Sequence, residues 1–223
     1  MTERTMDHEL AELNGMVLTM GNMVETAIAK SVEALTLRDE KLSRQIIEDD
    51  KIVDLLELEI NDKCITLLAT RQPMAADLRF ITTAMMITTD LERIGDISVN
   101  IVQRNLELLN WPLLKPLIDT PKLADIAKEM INKALDSFIK RDANRSNEIH
   151  ELEKESDRLR DLITDELIEM MTKDSSVVPR AIPLLLIARH LERICDHAMN
   201  IAEDVVYMVD AKVVKHLHNE NSV

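Results

Sequence analysis

The chain has 223 residues, and its 41 acidic against 27 basic side chains give a net charge of −14. This acidic excess repels the phosphate backbone of nucleic acids, and only four aromatic side chains are present that could stack on bases. We therefore expect no nucleic-acid partner. Three glycines and six prolines among abundant Leu, Ile, Met, Glu and Lys are typical of long helices with short connections and predict an all-α protein.

Six segments have apolar residues at helical spacing, and each is predicted to be a long helix. Pro73 and Pro112 follow the second and third segments and should stop them, because proline lacks the backbone donor that a helix needs. Thr120 before Pro121 is typical of a helix start with threonine as the N-cap. Pro183 falls inside the last helix, whose first turn is therefore expected to be irregular or kinked. The predicted helices span about residues 7–37, 41–70, 75–109, 121–140, 143–172 and 179–218.

The second half of the chain repeats the first. Segment 90–101 returns 100 positions later as segment 190–201, with Leu-Glu-Arg-Ile and Asn-Ile in the same places. Arg38-Asp39 returns as Arg141-Asp142 at an offset of 103, so the loop before the third helix differs by three residues between the copies. A length change confined to a loop is expected of two related bundles. We therefore predict two tandem, pseudo-symmetric three-helix bundles, at residues 1–110 and 121–223, joined by a proline-rich linker at residues 111–120.

Each half also carries two pairs of acidic residues at spacing i, i+4, which places each pair on one face of its helix. Adjacent helices about 8–10 Å apart can bring two such pairs opposite each other. Four carboxylates that close would repel and take up protons unless a bound cation removed the cost, so we predict a metal cluster in each half. The pairs are Asp50 and Asp54 with Glu92 and Asp96 in the first half, and Glu153 and Asp157 with Glu192 and Asp196 in the second.

Further oxygen-bearing side chains extend these acidic columns and are candidate ligands. Glu57 continues the column of the second helix, Asn100 that of the third, and Asn200 and Glu203 that of the sixth. An all-oxygen set suits hard cations such as iron, manganese or magnesium better than a structural zinc, although zinc stays among the candidates and the identity is open.

The columns of the two halves are not identical. Glu57 corresponds to Arg160, and Gln103 corresponds to Glu203. Because Gln103 offers a carbonyl oxygen without a charge, we expect the first site to bind metal more weakly unless Glu57 compensates.

Two other interpretations of the acidic columns stay open. Acidic residues at this spacing are common on solvated helix faces, although the sixth helix is so apolar that its acids need partners. The other alternative is a buried ion-pair network in which Arg93 and Arg193 neutralise the acids. On a helix Arg93 points about 100° away from Glu92, so we expect each arginine to reach a different helix or to rim the site.

No catalytic motif is present in the sequence. It contains no glycine-rich phosphate loop, nucleophile elbow or zinc-protease motif, and no Glu-x-x-His of the di-iron bundles. Cys64 and Cys195 each stand alone and are expected to be core thiols. The first residues are polar, and the longest apolar run, 181–188, is far shorter than the roughly 20 residues that cross a bilayer. We therefore expect a cytoplasmic protein that is neither an enzyme nor inserted in a membrane.

Three segments together form a specific signature, and they resemble the PhoU family of accessory regulators of bacterial high-affinity phosphate uptake. The resemblance covers nearly the whole chain, from about residue 6 to residue 207. The segments are Arg71-Gln72-Pro73-Met74-Ala75 with Asp77-Leu78-Arg79, then Thr89-Asp90-Leu91-Glu92-Arg93-Ile94-Gly95-Asp96, and Leu191-Glu192-Arg193-Ile194-Cys195-Asp196-His197-Ala198-Met199-Asn200-Ile201-Ala202-Glu203.

The resemblance implies two three-helix bundles whose paired Glu/Asp-x-x-x-Asp motifs bind multinuclear metal clusters. It also implies an adaptor between the ATPase subunit of the phosphate ABC transporter and a sensor histidine kinase, which represses the phosphate-starvation response when phosphate is plentiful. A homodimer is expected from the apolar third helix and the methionine-rich composition. The alternatives from other classes are a metal-dependent hydrolase or oxidase at the carboxylate clusters, and a metal-storage protein.

Overall fold

The computed structural model describes residues 2–213, with side chains from residue 6 onward. Within that part the chain forms six long α-helices and two short 3₁₀ turns and no β-strand, which confirms the all-α prediction. None of these helices is long and apolar enough to cross a membrane. The helices are α1 (Thr2–Leu37), α2 (Glu40–Arg71), α3 (Ala75–Leu108), α4 (Asp119–Lys140), α5 (Ser146–Lys173) and α6 (Val178–Asp210).

Local backbone signals set several helix ends. The Asp39 side chain accepts a hydrogen bond from the backbone N–H of Leu42 at 2.9 Å and so caps the start of α2. Gln72 ends α2 in the left-handed conformation, with φ of 49°, and Pro73 follows it directly. The turn between α2 and α3 is therefore sharp and short.

Arg38 fixes the end of α3 from the neighbouring turn. Its Nη2 donates to the backbone oxygens of Leu108 at 3.1 Å, Leu109 at 3.2 Å and Trp111 at 2.6 Å. The last carbonyls of a helix have no partner within the helix, so one guanidinium satisfies several of them.

The end of α6 differs from the prediction. The helix ends at Asp210 and not near residue 218, because Ala211 adopts a left-handed conformation with φ of 56° and leaves the helix. Residues 214–218 of the predicted helix lie outside the described part of the chain. At its other end, a 3₁₀ turn at Ser175–Val177 precedes α6, and the helix then continues through Pro183.

The start of α4 also differs from the prediction. The helix begins at Asp119 and Ile118 occupies the N-cap, so Thr120 lies inside the first turn and does not cap it. Asp119 pairs with Lys122 at 2.8 Å, and its negative charge interacts favourably with the helix dipole at the N-terminus of α4. The last two residues of the predicted linker 111–120 are thus helical, and the domain boundaries themselves stay predictions.

The three helices of each half pack against one another, and the halves then meet through α3 on α6 and α1 on α4. The buried apolar side chains form one continuous core through both halves. Phe80 on α3 stacks on Phe138 on α4 with ring centroids 5.0 Å apart. Because α6 of the same chain covers the apolar face of α3, that face does not support the expected homodimer, which stays a prediction.

Candidate functional site

The first two acidic pairs meet where α2 and α3 approach closely. Gly95 permits the approach, because a methyl group at its position would lie 2.8 Å from Oδ1 of Asp50 and 3.5 Å from Cγ1 of Val53. Any side chain at position 95 would therefore displace Asp50. We call the surrounding group the first cluster, and its members are Asp50, Asp54 and Glu57 on α2 with Glu92 and Asp96 on α3.

Burial and the neighbouring carboxylates raise the pKa values of two members of the first cluster, Asp50 and Glu92. Burial is the largest cause that raises the pKa of Asp50 to about 6, and the negative charges of Asp54, Asp96 and Glu92 add to it. Burial also raises the pKa of Glu92, with further contributions from Asp96, Glu57 and Asp54. All five carboxylates therefore share one electrostatic environment.

Little positive charge opposes the first cluster. Among the described residues, no side chain donates a hydrogen bond or forms an ion pair to Asp50 or Asp54. Arg93 lies 3.4 Å from Glu92 and 3.3 Å from Asp96, so it folds back along its own helix instead of reaching a different one. Its side chain is 57% exposed, so solvent screens both pairs.

The second cluster consists of Glu153, Asp157, Glu192 and Asp196, and an arginine pairs with two of these acids. Nη1 of Arg160 donates to Oε1 of Glu192 at 2.9 Å, and its Nη2 donates to Oδ1 of Asp157 at 3.2 Å. Arg160 belongs to α5 and Glu192 to α6, so their bond joins the two helices. The side chains are 28% and 16% exposed, which limits screening of this pair.

The remaining charges of the second cluster are also partly compensated. Nδ1 of His150 lies 2.9 Å from Oε2 of Glu153. Burial raises the pKa of Glu192 and Asp196 adds to it, whereas Arg160 opposes the rise. Burial raises the pKa of Asp196 as well, and Arg160 again acts against it. Arg160 is thus a cation shared by the acids of this cluster.

The remaining side chains that were predicted to bind metal or to rim the sites lie on α3 and α6, outside the contacts described above. Asn100 and Asn200 are half-buried, and neither makes a side-chain hydrogen bond within the described residues. Glu203 is half-buried near the end of α6, while Gln103 and Arg193 are exposed. Their roles as ligands or rim residues therefore stay predictions.

The two clusters differ in how well they suit a metal ion. Among residues 6–213, no three His, Cys, Asp or Glu side chains stand in a geometry that would hold one. The donor chemistry of the first cluster nevertheless fits a hard cation, because among residues 6–213 no cation from another helix pairs with its carboxylates. The second cluster can bind a metal ion through Glu192 and Asp157 only if Arg160 moves, because the guanidinium of Arg160 already pairs with these two acids.

Comparison with known proteins identifies the repeat. A family model described as the PhoU domain matches residues 17–104 and, a second time, residues 120–205. The chain belongs to the PhoU family. One PhoU domain falls on α1–α3 and the other on α4–α6.

Full-length PhoU proteins are similar to this chain in sequence. The phosphate-specific transport system accessory protein PhoU homolog of Aquifex aeolicus is 38% identical over 210 residues, which are 94% of this chain and 95% of that protein. The phosphate-specific transport system accessory protein PhoU of Escherichia coli is 32% identical over 209 residues, which are 94% and 87% of the two chains. The similarity therefore includes both repeats and the connection between them.

Solved PhoU structures share the fold. The crystal structure of PhoU from Pseudomonas aeruginosa matches with a TM-score of 0.87 at 32% identity, over 92% of this chain and 99% of that one. The phosphate transport system regulatory protein PhoU from Streptococcus pneumoniae also has a TM-score of 0.87, at 28% identity, over 94% and 99%. These matches confirm the arrangement of two three-helix bundles.

Two residues that contact the second cluster were not predicted from the sequence, and they are Arg160 and His150. Arg160 was visible only as the counterpart of Glu57, and this reversal of charge between the repeats was the signal that could have revealed its role. His150 gave no signal, because its counterpart 103 positions earlier is Ile47. Neither residue belongs to the acidic pairs from which the clusters were predicted.

Proposed function

We propose that this PhoU protein regulates phosphate uptake and phosphate-starvation signalling from the cytoplasm, without catalysing a reaction. It acts as an adaptor between the ATPase subunit of the phosphate transporter and a sensor histidine kinase, and it represses the phosphate regulon when phosphate is plentiful. One observation carries the proposal: relatives named as accessory proteins of the phosphate-specific transport system align with 94% of the chain, through both repeats.

An adaptor needs a surface that other proteins can bind, and the outer face of α2 supplies one. Four large apolar side chains of α2 are more than half exposed, and two of them, Leu58 and Ile65, flank the acidic column of the same helix. A group of exposed apolar side chains is typical of a protein-binding surface. We call this group the α2 strip, and its members are Ile52 (55%), Leu55 (60%), Leu58 (62%) and Ile65 (56%).

We further propose that the carboxylate clusters hold iron, manganese, magnesium or zinc. In the first cluster Asp50 and Asp54 would bind from α2, and Glu92 and Asp96 from α3, so the ligands would tie the two helices together. A bound cation supplies positive charge that offsets the repulsion of these carboxylates, and an open coordination position for an oxygen of a carboxylate or phosphate group.

Genetic complementation tests the regulatory role. Deletion of the gene is expected to switch on the phosphate regulon in phosphate-rich medium, and the wild-type gene should restore repression. A Leu55→Glu/Leu58→Glu double variant should fail in complementation, and in pull-down of the transporter ATPase and the kinase, because it places charge in the α2 strip. Leu113→Glu is the matched control, since Leu113 is 50% exposed in the connection before α4. Normal repression in the deletion strain contradicts the proposal.

The non-enzymatic character has its own test. Purified protein loaded with manganese is expected to show no turnover of phosphoesters. Turnover that disappears in Asp96→Ala protein would contradict this expectation and favour a metal-dependent hydrolase.

A further inference from the structure

Glu57 and Arg160 occupy equivalent positions in the two repeats. Arg160 follows Glu57 by 103 positions, the offset that also relates Arg38-Asp39 to Arg141-Asp142, and Glu192 follows Glu92 by 100. The negative charge of Glu57 acts on Glu92, whereas Nη1 of Arg160 donates to Glu192 at 2.9 Å. The same position therefore presents opposite charges to the two clusters.

Arg160 behaves as a tethered cation within the second cluster. Its guanidinium lies 2.9 Å from Glu192, 3.2 Å from Asp157 and 2.8 Å from Asp161. Because a guanidinium stays protonated at every physiological pH, this positive charge is permanent. A cation that binds Glu192 or Asp157 must first displace it.

Within the described part of the chain, the first cluster has no counterpart of this arginine. Lys51 and Lys63 of α2 are engaged elsewhere, the former with Glu48 at 3.0 Å and the latter with Glu12 at 2.7 Å. Arg93 is the one described cation that pairs with acids of the cluster, and it is 57% exposed and bound to its own helix. The carboxylates that face each other across α2 and α3 can therefore be neutralised by a cation bound from solution.

We propose that the two clusters have different roles: the first takes up a metal ion, and the second is held closed by Arg160 and admits one only after that side chain leaves Glu192. This inference rests on the metal-binding part of the proposed function and goes beyond it by stating that the first cluster binds metal more tightly than the second. This order of affinities is the reverse of the one expected from Gln103. Gln103 is exposed and lies about two helical turns from Asp96, whereas Arg160 contacts the ligands directly, and charge interactions weaken with distance.

Titration of Mn²⁺ into the full-length protein after chelator treatment, with free Mn²⁺ followed by electron paramagnetic resonance, tests the ranking. The wild type should show one class of tight sites. Arg160→Glu gives the second cluster the charge that Glu57 gives the first, and it should add a second tight class, with affinity raised about tenfold or more. Glu57→Arg should weaken the original class by about tenfold to 100-fold.

Matched variants separate a local effect from a change in net charge. Arg158→Glu makes the same charge change on α5, where Arg158 pairs with Glu155 at 2.6 Å on an exposed face, and it should leave Mn²⁺ binding unchanged. Arg160→Gln frees Glu192 without adding a charge, so it preserves the test if Arg160→Glu does not fold. Circular dichroism monitors folding of each variant.

Three results would overturn the proposal. They are two classes of equal affinity in the wild type, no response to either Arg160 variant, and no Mn²⁺ binding by any variant. The last result would leave the adaptor function standing, because pull-down and repression are measured without added metal.

Discussion

His197 on α6 donates a hydrogen bond from Nδ1 to Oδ1 of Asp90 on α3, at 2.8 Å. The two side chains are only 19% and 16% exposed. Asp90 lies two residues before Glu92 of the first cluster, and His197 directly follows Asp196 of the second. This bond is therefore a polar contact between one helix of the first cluster and one helix of the second.

A double-mutant cycle should reveal this link between the halves. His197→Ala and Asp90→Ala should each lower the free energy of unfolding, and the two losses should be less than additive by about 1–2 kcal/mol, since either change removes the same bond. Urea unfolding measures the cycle. His8→Ala, at an exposed site, should have little effect, and strictly additive losses would show that the contact carries no coupling.

The stability of the metal-free protein should fall with rising pH because of Asp50. Its pKa is about 6 in the folded protein, above the roughly 3.9 of an unfolded chain, so its contribution is fully present below pH 4 and is lost as the pH rises through 6. Asp50→Asn should therefore stabilise the protein at pH 8 by about 1 kcal/mol after allowance for solvent screening, and by less at pH 5.

Urea unfolding at pH 5 and pH 8, with chelator present, measures the pH effect. Asp62→Asn, which removes an exposed acid from the same helix, is the control and should change stability equally at both pH values. A benefit of Asp50→Asn that is larger at pH 5 than at pH 8 would contradict the assigned direction of the pKa shift.

Gly21→Ala should be destabilising, because α1 and α4 touch at this position. A methyl group at its position would overlap Cδ1 of Leu135 on α4. Gly21→Ala is expected to cost about 1–3 kcal/mol in thermal or urea unfolding, in spite of the better helix propensity of alanine. Gly15→Ala is the matched change on the same helix, with nothing within 4 Å, and should stabilise by up to about 1 kcal/mol. Equal effects of the two substitutions would refute the contact.

Gly95→Ala should separate metal binding from stability. The new methyl group would force Asp50 to rotate away, but only the end of a short side chain has to move. We expect a change in stability within about 1 kcal/mol, because strain is offset by helix propensity, together with weaker Mn²⁺ binding to the first cluster. Unchanged Mn²⁺ affinity would show that Asp50 is not a ligand.

Most of the fold follows from the spacing of apolar residues, because a helix exposes its periodicity in the sequence. The predicted third helix, 75–109, is observed at Ala75–Leu108. The end of α6 could not be predicted in this way, since Ala211 is a strong helix former that adopts a left-handed conformation only in its tertiary context.

For the candidate site, the sequence predicts which side chains share one face of a helix, but not how side chains of different helices pair. Spacing of four residues fixes one face, so the columns through Asp50 and Asp54 and through Glu92 and Asp96 could be predicted. The bond between Arg160 and Glu192 could not, because it depends on how α5 is rotated against α6. Flexible side chains such as Arg93 can also fold back along their own helix, which spacing does not determine.

The main contacts between the halves join α1 to α4 and α3 to α6, so four of the six helices meet their own counterparts. Contact between equivalent elements is the property of a twofold interface between identical subunits. The interior of this chain is therefore organised like a dimer whose subunits were fused by gene duplication. Fusion releases the copies from the need to stay identical, and this freedom explains how one half could keep a glutamate at position 57 while the other carries an arginine at position 160.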